Sequence, residues 1–354
     1  MHRSIFSTNI KTPNVTRVKT SLSALLGATA LLSLGLSTPV MADTFVITSG
    51  TTTNNGETIN GDDTVSVTGT IDTGTTNDEG GIETTGSNTI TVSTDGIIKT
   101  GGAGAIGIYN IGDTNKTTMS GSIATAGEDG YGIANKGNTN TTEMSGSIET
   151  SGKKGYGIKN EGSSNTTTMS GSFTSSGSYG RGIWNLGDTN KTTMSGSITT
   201  SGKDGHGIKN KGKTNTTEMS GSITTSEEKG HGIYNEGNEN KTTMSGSIET
   251  SGKKGYGIYN KGNTNTNTVS GSITTSGELG WGIYNLGDTN TNTVSDTGSI
   301  TTTGKDGYGI YNLGDTNTTT MSGSITTTGE RGYGIGNLGD TNTNTVSDTG
   351  SITT

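Results

Sequence analysis

Two histidines, His206 and His231, lie one 25-residue sequence period apart and are the first residues to consider for chemistry. Imidazole nitrogens are common zinc ligands, and two of them on adjacent strands could face one ion. A useful zinc site requires further ligands, and none lies in phase with this pair. We therefore interpret the histidines as variants within a column that otherwise holds Tyr131, Tyr156, Tyr256, Trp281, Tyr308 and Tyr333.

A second column places aspartates directly after a glycine, and carboxylates in a repeat suggest calcium. Its aspartates are Asp113, Asp188, Asp288, Asp315 and Asp340. Ser163 and Lys213 occupy the same column, and the glycine-rich pattern of calcium-binding β-rolls is missing. Aspartate also suits the turn that such a glycine indicates, so turn chemistry explains the column better than a metal does.

A third column is the variable position x of the recurring element Gly-Ile-x-Asn. If Ile and Asn point inward, x points outward, where aromatic rings can stack on sugars or pack on a partner. We predict a ligand-facing stripe of six residues, with cross-coil stacking that only stabilises the fold as the alternative. The stripe consists of Tyr109, Trp184, Tyr234, Tyr259, Tyr284 and Tyr311, and the other members of the column are Ala134, Lys159, Lys209 and Gly336.

The sequence contains no recognisable catalytic constellation, and we predict neither enzymatic activity nor a cofactor or metal. The expected leader, residues 1–42, holds four of the 23 basic residues and none of the 31 acidic ones, so the mature chain has a net charge of −12. Such a charge argues against a nucleic-acid partner. The absence of cysteine means that an exported chain must be stabilised without disulfides.

The elements that must position these columns repeat along the chain. Gly-Ile-x-Asn occurs ten times at a step of 25 residues, except for one step of 27 residues between Gly282 and Gly309. Within a copy, Met321, Gly323 and Ile325 alternate with hydroxyl residues, which is the period of a β-strand. One copy offers about three core aliphatics and cannot fold alone, whereas stacked copies share a core. We predict an all-β fold, a parallel β-solenoid of about ten 25-residue coils.

Two asparagines frame a glycine in every copy as Asn-x-Gly-x-x-Asn, and the glycine predicts a turn with positive φ. Stacked coils would bring equivalent amides within hydrogen-bond distance, as in an amide ladder. The first asparagines form the predicted structural ladder: Asn110, Asn135, Asn160, Asn185, Asn210, Asn235, Asn260, Asn285, Asn312 and Asn337. The 27-residue step inserts two residues between Val294 and Ile300, and an even insertion preserves the register.

The first 42 residues differ from the repeats. Four basic residues precede an apolar run, Leu22 to Leu36, which is followed by Val40-Met41-Ala42. This pattern predicts a secretory signal peptide cleaved after Ala42, because the run is too short for a membrane anchor. We divide the chain into the signal peptide, 1–42, an N-terminal cap with degenerate coils, 43–105, and the repeat solenoid, 106–354. The low hydrophobicity of the chain is also typical of disorder, which is the alternative to a folded solenoid. Isoleucine at the same position of successive repeats disfavours that alternative.

A basic signal peptide followed by cysteine-free repeats of the form GSITTSGxxGYGIYNxG resembles the passenger regions of bacterial autotransporter (type V secreted) adhesins. The resemblance implies export, passage through an outer-membrane translocation barrel, and a β-helix displayed on the cell surface. That family carries a C-terminal barrel, whereas this sequence ends at Thr354 within a coil. We expect either a fragment or a passenger whose barrel is a separate partner.

We therefore expect a secreted or surface-displayed adhesin that contacts glycans or proteins of a host, a matrix or neighbouring cells. A non-adhesive fibre or spacer is the main alternative. Rows of outward hydroxyl groups, such as those of Thr318 and Thr320, suggest a lesser alternative, an ice-binding solenoid. Charged residues disfavour it: the first of these columns also holds Lys116, Lys191 and Lys241, and the second holds Glu143 and Glu218.

Overall fold

A computed structural model describes residues 15–18, 44–54 and 56–354. These residues form strands and turns and no helix. The strands are, in chain order, β1 Val15–Val18, β2 Thr44–Ile47, β3 Thr52–Thr53, β4 Glu57–Ile59, β5 Thr64–Val67, β6 Thr70–Asp72, β7 Ile82–Thr84, β8 Thr89–Val92, β9 Ile97–Thr100, β10 Ile106–Asn110, β11 Lys116–Met119, β12 Ser122–Thr125, β13 Tyr131–Asn135, β14 Thr141–Met144, β15 Ser147–Thr150, β16 Tyr156–Asn160, β17 Thr166–Met169, β18 Ser172–Ser175, β19 Arg181–Asn185, β20 Lys191–Met194, β21 Ser197–Thr200, β22 His206–Asn210, β23 Thr216–Met219, β24 Ser222–Thr225, β25 His231–Asn235, β26 Lys241–Met244, β27 Ser247–Thr250, β28 Tyr256–Asn260, β29 Thr266–Val269, β30 Ser272–Thr275, β31 Trp281–Asn285, β32 Thr291–Val294, β33 Ser299–Thr302, β34 Tyr308–Leu313, β35 Thr318–Met321, β36 Ser324–Thr327, β37 Tyr333–Leu338, β38 Thr343–Val346 and β39 Ser351–Thr353.

The strands form three parallel sheets, each receiving every third strand along the chain. Sheet A contains β1 and the series β2, β5, β8 to β38; sheet B contains β3, β6, β9 to β39; and sheet C contains β4, β7, β10 to β37. Each coil supplies one strand to each sheet, so the chain winds through about twelve turns. The predicted all-β parallel solenoid with 25-residue coils is therefore confirmed.

The core is a set of aliphatic columns, one from each sheet. In β34, β35 and β36, Ile310, Met321 and Ile325 are each completely buried, and equivalent residues pair across neighbouring coils. Thr319 and Thr327 also face inward, so the interior contains hydroxyl columns beside the aliphatic ones. The period-two alternation inferred for sheets A and B agrees with this burial pattern.

The two-residue insertion lies in the corner between β32 and β33. The backbone there forms a tight turn in which Gly298 N–H donates to Ser295 O at 2.7 Å. Ile300 remains in register with Ile273 of the preceding coil and Ile325 of the following one. The prediction that an even insertion preserves the register is confirmed.

Two asparagine columns line the corner between sheets C and A. The Nδ2 group of each residue in the first column donates to Oδ1 of its equivalent in the next coil, from Asn110 to Asn337, at 2.6–2.8 Å. In the second column, the backbone N–H donates to the next amide, as from Asn115 to Asn140 Oδ1 at 2.7 Å. The Oδ1 atoms of both columns thus obtain their donors because the coils stack in register. The Nδ2 groups of the second column instead bond within their own turn, as Asn115 does to Gly112 O, or lack a partner, as in Asn140.

The turn between these asparagines corrects our interpretation of its glycine. Among the ten turn glycines only Gly339 has a positive φ, at 150°. In all ten turns the residue before the second asparagine has one, for example Thr114 at 59° and Thr139 at 55°. Gly112 is required for a different reason, because a Cβ there would collide with the carbonyl oxygen of Gly86 in the preceding coil. The left-handed threonine is stabilised by its N–H, which donates to Asn138 O at 3.0 Å.

The predicted signal peptide lies outside the described residues except for β1. This strand pairs antiparallel with β2, with Val15 opposite Ile47 and Val18 opposite Thr44. Cleavage after Ala42 would remove β1 and leave that edge of β2 unpaired.

We predict that Asn210→Ala lowers the free energy of unfolding by about 2–4 kcal/mol. The substitution removes one of the two acceptors of Asn185 Nδ2, which keeps Thr192 Oγ1 at 3.1 Å, and it removes the donor to Asn235 Oδ1. Each unmatched buried group costs about 1–3 kcal/mol. Denaturant titration of residues 43–354, followed by circular dichroism, measures the loss.

Asn337→Ala is the matched control, because Asn337 is exposed and only accepts one bond, from Asn312. We expect it to cost less than about 1 kcal/mol. Equal losses at the two positions would show that the ladder does not stabilise the interior coils.

Candidate ligand-binding face

The outer face of sheet C is shaped by the glycine of Gly-Ile-x-Asn. A Cβ on Gly132 would lie 2.5 Å from Cγ2 of Ile148, a core residue of sheet B, so this position faces inward. The next residue, Ile133, is also completely buried. Two consecutive inward positions break the alternation, and the residue before the glycine, such as Tyr131, therefore lies on the same outer face as position x.

Two side-chain columns therefore form one surface. In the first, rings stack along the solenoid axis: His231 on Tyr256 with centroids 4.7 Å apart, and Tyr256 on Trp281 at 4.9 Å. In the second, Tyr259 stacks on Tyr284 at 4.9 Å, nearly parallel. These separations equal the strand spacing of a sheet. We call the rings of β25 to β37 the aromatic face: His231, Tyr234, Tyr256, Tyr259, Trp281, Tyr284, Tyr308, Tyr311 and Tyr333.

The columns also contact each other edge to face. Trp281 meets Tyr284 at 4.6 Å and 81° between ring planes, and Tyr256 meets Tyr259 at 5.4 Å and 74°. This packing covers much of the predicted stripe. Tyr234 and Tyr284 are only 9% and 8% exposed, whereas Tyr109, Trp184, Tyr259 and Tyr311 are half-buried.

Interior rings therefore present their edges, not their faces, to solvent. The hydroxyl groups of Tyr234, Tyr259, Tyr284 and Tyr311 make no hydrogen bond to another residue in the described part of the chain, and none is a buried orphan. A phenol hydroxyl both donates and accepts. The arrangement is a row of free hydroxyls on an apolar base, spaced about 5 Å apart by the sheet.

Burial also changes the acidity of these groups. It raises the pKa of Tyr284 to about 12, and the nearby Tyr259 and Tyr311 act in the same direction. The pKa values of Tyr234 and Tyr256 are raised further, again mainly by burial. The hydroxyl groups of Tyr234, Tyr256 and Tyr284 are therefore neutral at physiological pH, and these residues can recognise a ligand only through neutral hydrogen bonds and contact area.

The two histidines lie beside this face and stack on each other, with centroids 4.9 Å apart and planes 6° apart. Nδ1 of His206 accepts the backbone N–H of His231, and Nδ1 of His231 accepts that of Tyr256. Each imidazole is therefore neutral, with its proton on Nε2. Parallel rings with one nitrogen already bonded do not converge on an ion. Elsewhere in the described ranges, too, no three His, Asp or Glu side chains cluster as a metal site would require.

The aspartate column binds backbone amides. Oδ1 of Asp188 accepts the N–H of Lys213 at 2.7 Å, and Oδ1 of Asp288 accepts that of Asp315 at 2.8 Å. Each carboxylate thus joins its turn to the next coil. This geometry agrees with turn chemistry as the explanation of the column.

The hydroxyl face of sheet A carries ion pairs between neighbouring coils. Lys116 pairs with Glu143 at 3.5 Å, and Lys191 pairs with Glu218 at 3.4 Å. Long charged side chains therefore project from the rows that an ice-binding surface would keep flat.

Sequence reasoning missed Arg181, which interrupts the first aromatic column. Its guanidinium carbon lies 4.9 Å from the ring centre of Tyr156 and 4.3 Å from that of Trp184. The sequence does contain an indication of it, since Arg181 precedes Gly182 at a position where most copies have an aromatic residue. What the sequence did not show is that this column shares a face with the predicted stripe.

Comparison with protein-family models, with curated proteins and with solved structures gives no match. The fold therefore defines the class: the chain is a parallel β-solenoid repeat protein with an aromatic outer face on one sheet. Within the residues that the structure describes, no helix has the length and apolar character needed to cross a membrane.

We predict that the double substitution His206→Tyr and His231→Tyr makes stability less dependent on pH. Burial lowers the pKa of His231 from 6.5 to about 3, and that of His206 well below its ordinary value. At a pH between the folded and unfolded pKa values, these histidines bind more protons in the unfolded chain than in the folded one. The free energy of unfolding therefore falls as pH falls through this range. The loss from pH 7 to pH 4 is on the order of 3 kcal/mol for one such histidine.

Tyrosine is the commonest residue of this column, so the variant keeps the ring stack. Denaturation midpoints of both proteins at pH 7 and pH 4 provide the measurement, and the carboxylates common to both cancel in the comparison. Identical pH profiles would mean that the histidines titrate normally in the folded chain.

Proposed function

We propose that this chain is an exported adhesin whose aromatic face binds saccharides on a host, a matrix or neighbouring cells. The observation that carries the proposal is the row of free tyrosine hydroxyls on an apolar base along sheet C. Sugars present alternating hydroxyl groups and C–H surfaces, which such an edge matches with hydrogen bonds and apolar contact. Repetition of the row across successive coils suits a repeating polysaccharide, because several weak contacts act together.

Export is the second part of the proposal. It is supported by the basic and apolar pattern of residues 1–42 and by a cysteine-free solenoid that needs no disulfide. We propose that the chain is the passenger of an autotransporter-like system, carried through an outer-membrane translocation barrel that belongs to the same protein or to a separate partner.

A spacer or structural fibre is the second candidate, favoured by the regular stacking itself. Twelve turns at the strand spacing give a rod about 60 Å long. In a spacer, ring stacking would contribute only rigidity. The two candidates differ in whether the outer edge of the aromatic face contacts anything.

We predict that replacing Tyr234, Tyr259, Tyr284 and Tyr311 together by Phe weakens binding to neutral oligosaccharides at least tenfold. Phenylalanine keeps the ring stacks and removes only the hydroxyl row, so the fold is preserved. Binding of purified residues 43–354 to an array of neutral oligosaccharides, followed by titration of the best ligands, measures the effect.

Tyr179→Phe is the matched control, since Tyr179 is 41% exposed in the turn between β18 and β19 and does not belong to the aromatic face. It should bind as the parent does. A parent chain that binds no oligosaccharide on the array, or a fourfold Phe variant with unchanged affinity, would favour the spacer.

We predict that expression in a Gram-negative host yields a mature chain that starts at Asp43. N-terminal sequencing of the exported protein measures this, and Ala42→Arg should block processing because signal peptidase requires a small residue before the cut. Recovery of the unsubstituted chain in unprocessed form from the cytosol of that host would contradict the export proposal.

A further inference from the structure

Three cationic residues interrupt the aromatic columns on β16, β19 and β22, next to the aromatic face. We call Lys159, Arg181 and Lys209 the basic patch. The two lysines occupy position x, and Arg181 occupies the column before the glycine, so all three lie on the outer surface of sheet C. The patch stands out in a chain whose formal net charge is −8.

The two lysines of the basic patch have counter-charges. Lys159 Nζ lies 2.5 Å from Glu161 Oε1, and Lys209 Nζ lies 2.9 Å from Glu236 Oε2. Both lysine side chains are almost covered, at 13% and 12% exposed, and they also lie over tyrosine rings. They are therefore largely satisfied within the protein.

Arg181 has no such partner. It forms no ion pair with a carboxylate of the described residues, and its Nε and Nη1 atoms are buried without a hydrogen-bond acceptor. The indole Nε1 of the adjacent Trp184 is also buried without an acceptor. Three buried nitrogen donors in one place thus lack acceptors, so the protein itself leaves the charge of Arg181 only partly compensated.

The surrounding charges leave the patch positive. Burial, and then the proximity of Arg181 and Lys211, lower the pKa of Lys209, although its bond to Glu236 acts in the opposite direction. Burial is also the main cause of the lowered pKa of His206, to which His231, Arg181 and Lys209 contribute. Three cations and two carboxylates leave one net positive charge, which is centred on Arg181.

We propose that Arg181 and Trp184 form a subsite for the carboxylate or sulfate group of an acidic saccharide. A guanidinium cation binds such anions more strongly than a neutral donor does, because its hydrogen bonds are charge-assisted. Both side chains are half-buried, and Nη2 is the guanidinium nitrogen of Arg181 that is not buried, so a ligand reaches the cation through Nη2. This inference rests on the proposed saccharide-binding face, because the sugar ring that carries the anion lies along the neighbouring aromatic residues.

Charge and surroundings select this ligand over other anions. A nucleic acid or an extended anionic polymer would meet the acidic remainder of the chain, whereas a saccharide with isolated charges requires only one cationic position. The rings of Tyr156 and Trp184 border the cation, so recognition needs an apolar surface next to the anion. The residues of a simple acidic peptide carry an anion but no apolar surface next to it.

The test compares four probes on residues 43–354: a neutral oligosaccharide that the parent binds, the same oligosaccharide with one uronate residue, the same oligosaccharide with one sulfate ester, and a poly-glutamate peptide. We expect the parent to bind at least one acidic saccharide more tightly than the neutral one, with affinity falling as salt rises. Arg181→Tyr, which installs the commonest residue of the column, should weaken acidic binding at least tenfold and leave neutral binding unchanged. Arg181→Lys should recover only part of the loss, because lysine lacks the planar guanidinium that packs on the rings of Tyr156 and Trp184.

Arg331→Tyr is the matched control, since Arg331 is an exposed turn residue that pairs with Asp306 at 2.7 Å. It should bind every probe as the parent does. Unchanged acidic binding in Arg181→Tyr would overturn the subsite while leaving the saccharide-binding face intact. Poly-glutamate binding as tight as that of the acidic saccharides would also overturn it. A parent that binds no saccharide would instead overturn the proposed function, so the two failures are distinct.

Discussion

In-register stacking of equivalent coils is the constraint on which the rest of this structure depends. Each coil contributes about three buried aliphatic residues and a pair of buried asparagines, neither of which is stable alone. An amide such as Asn210 is satisfied only because Asn185 and Asn235 lie one strand spacing away on either side. Backbone ladders in three sheets impose the same spacing, so a shift in one coil would disrupt the contacts of two others.

This constraint separates two kinds of position. Residues in the core and corners recur in nearly every copy because each one packs against its own equivalent. Outer positions contact neighbours along the axis but do not hold the coil closed, and they vary among aromatic, basic and small residues. The variation at position x, from Tyr259 to Lys209 to Ala134, lies where the fold tolerates it. Any differences in ligand recognition along the rod would therefore come from these columns.

The kink at the glycine of Gly-Ile-x-Asn gives sheet C its distinctive surface. Without it, strict alternation would place Tyr256 and Tyr259 on opposite sides of the strand. With it, both columns face outward, and their rings stack at the strand spacing and interlock edge to face. The same packing surrounds Arg181 with rings and leaves its Nε and Nη1 atoms without acceptors, since the neighbouring glutamates pair with lysines.

The sequence by itself determined the period, the strands, the solenoid and the tolerance of the two-residue insertion, because these follow from local alternation and from identical residues at fixed steps. It also indicated that position x faces outward. Only the tertiary structure decided that Gly112 is required by the preceding coil and that Thr114 adopts positive φ, since both depend on how closely turns stack. It likewise decided that the ring faces pack against rings of the neighbouring coils and that Arg181 lies on the same outer face as the predicted stripe. Those outcomes depend on contacts between residues 25 positions apart and on a kink that breaks the period-two pattern, and strand alternation encodes neither.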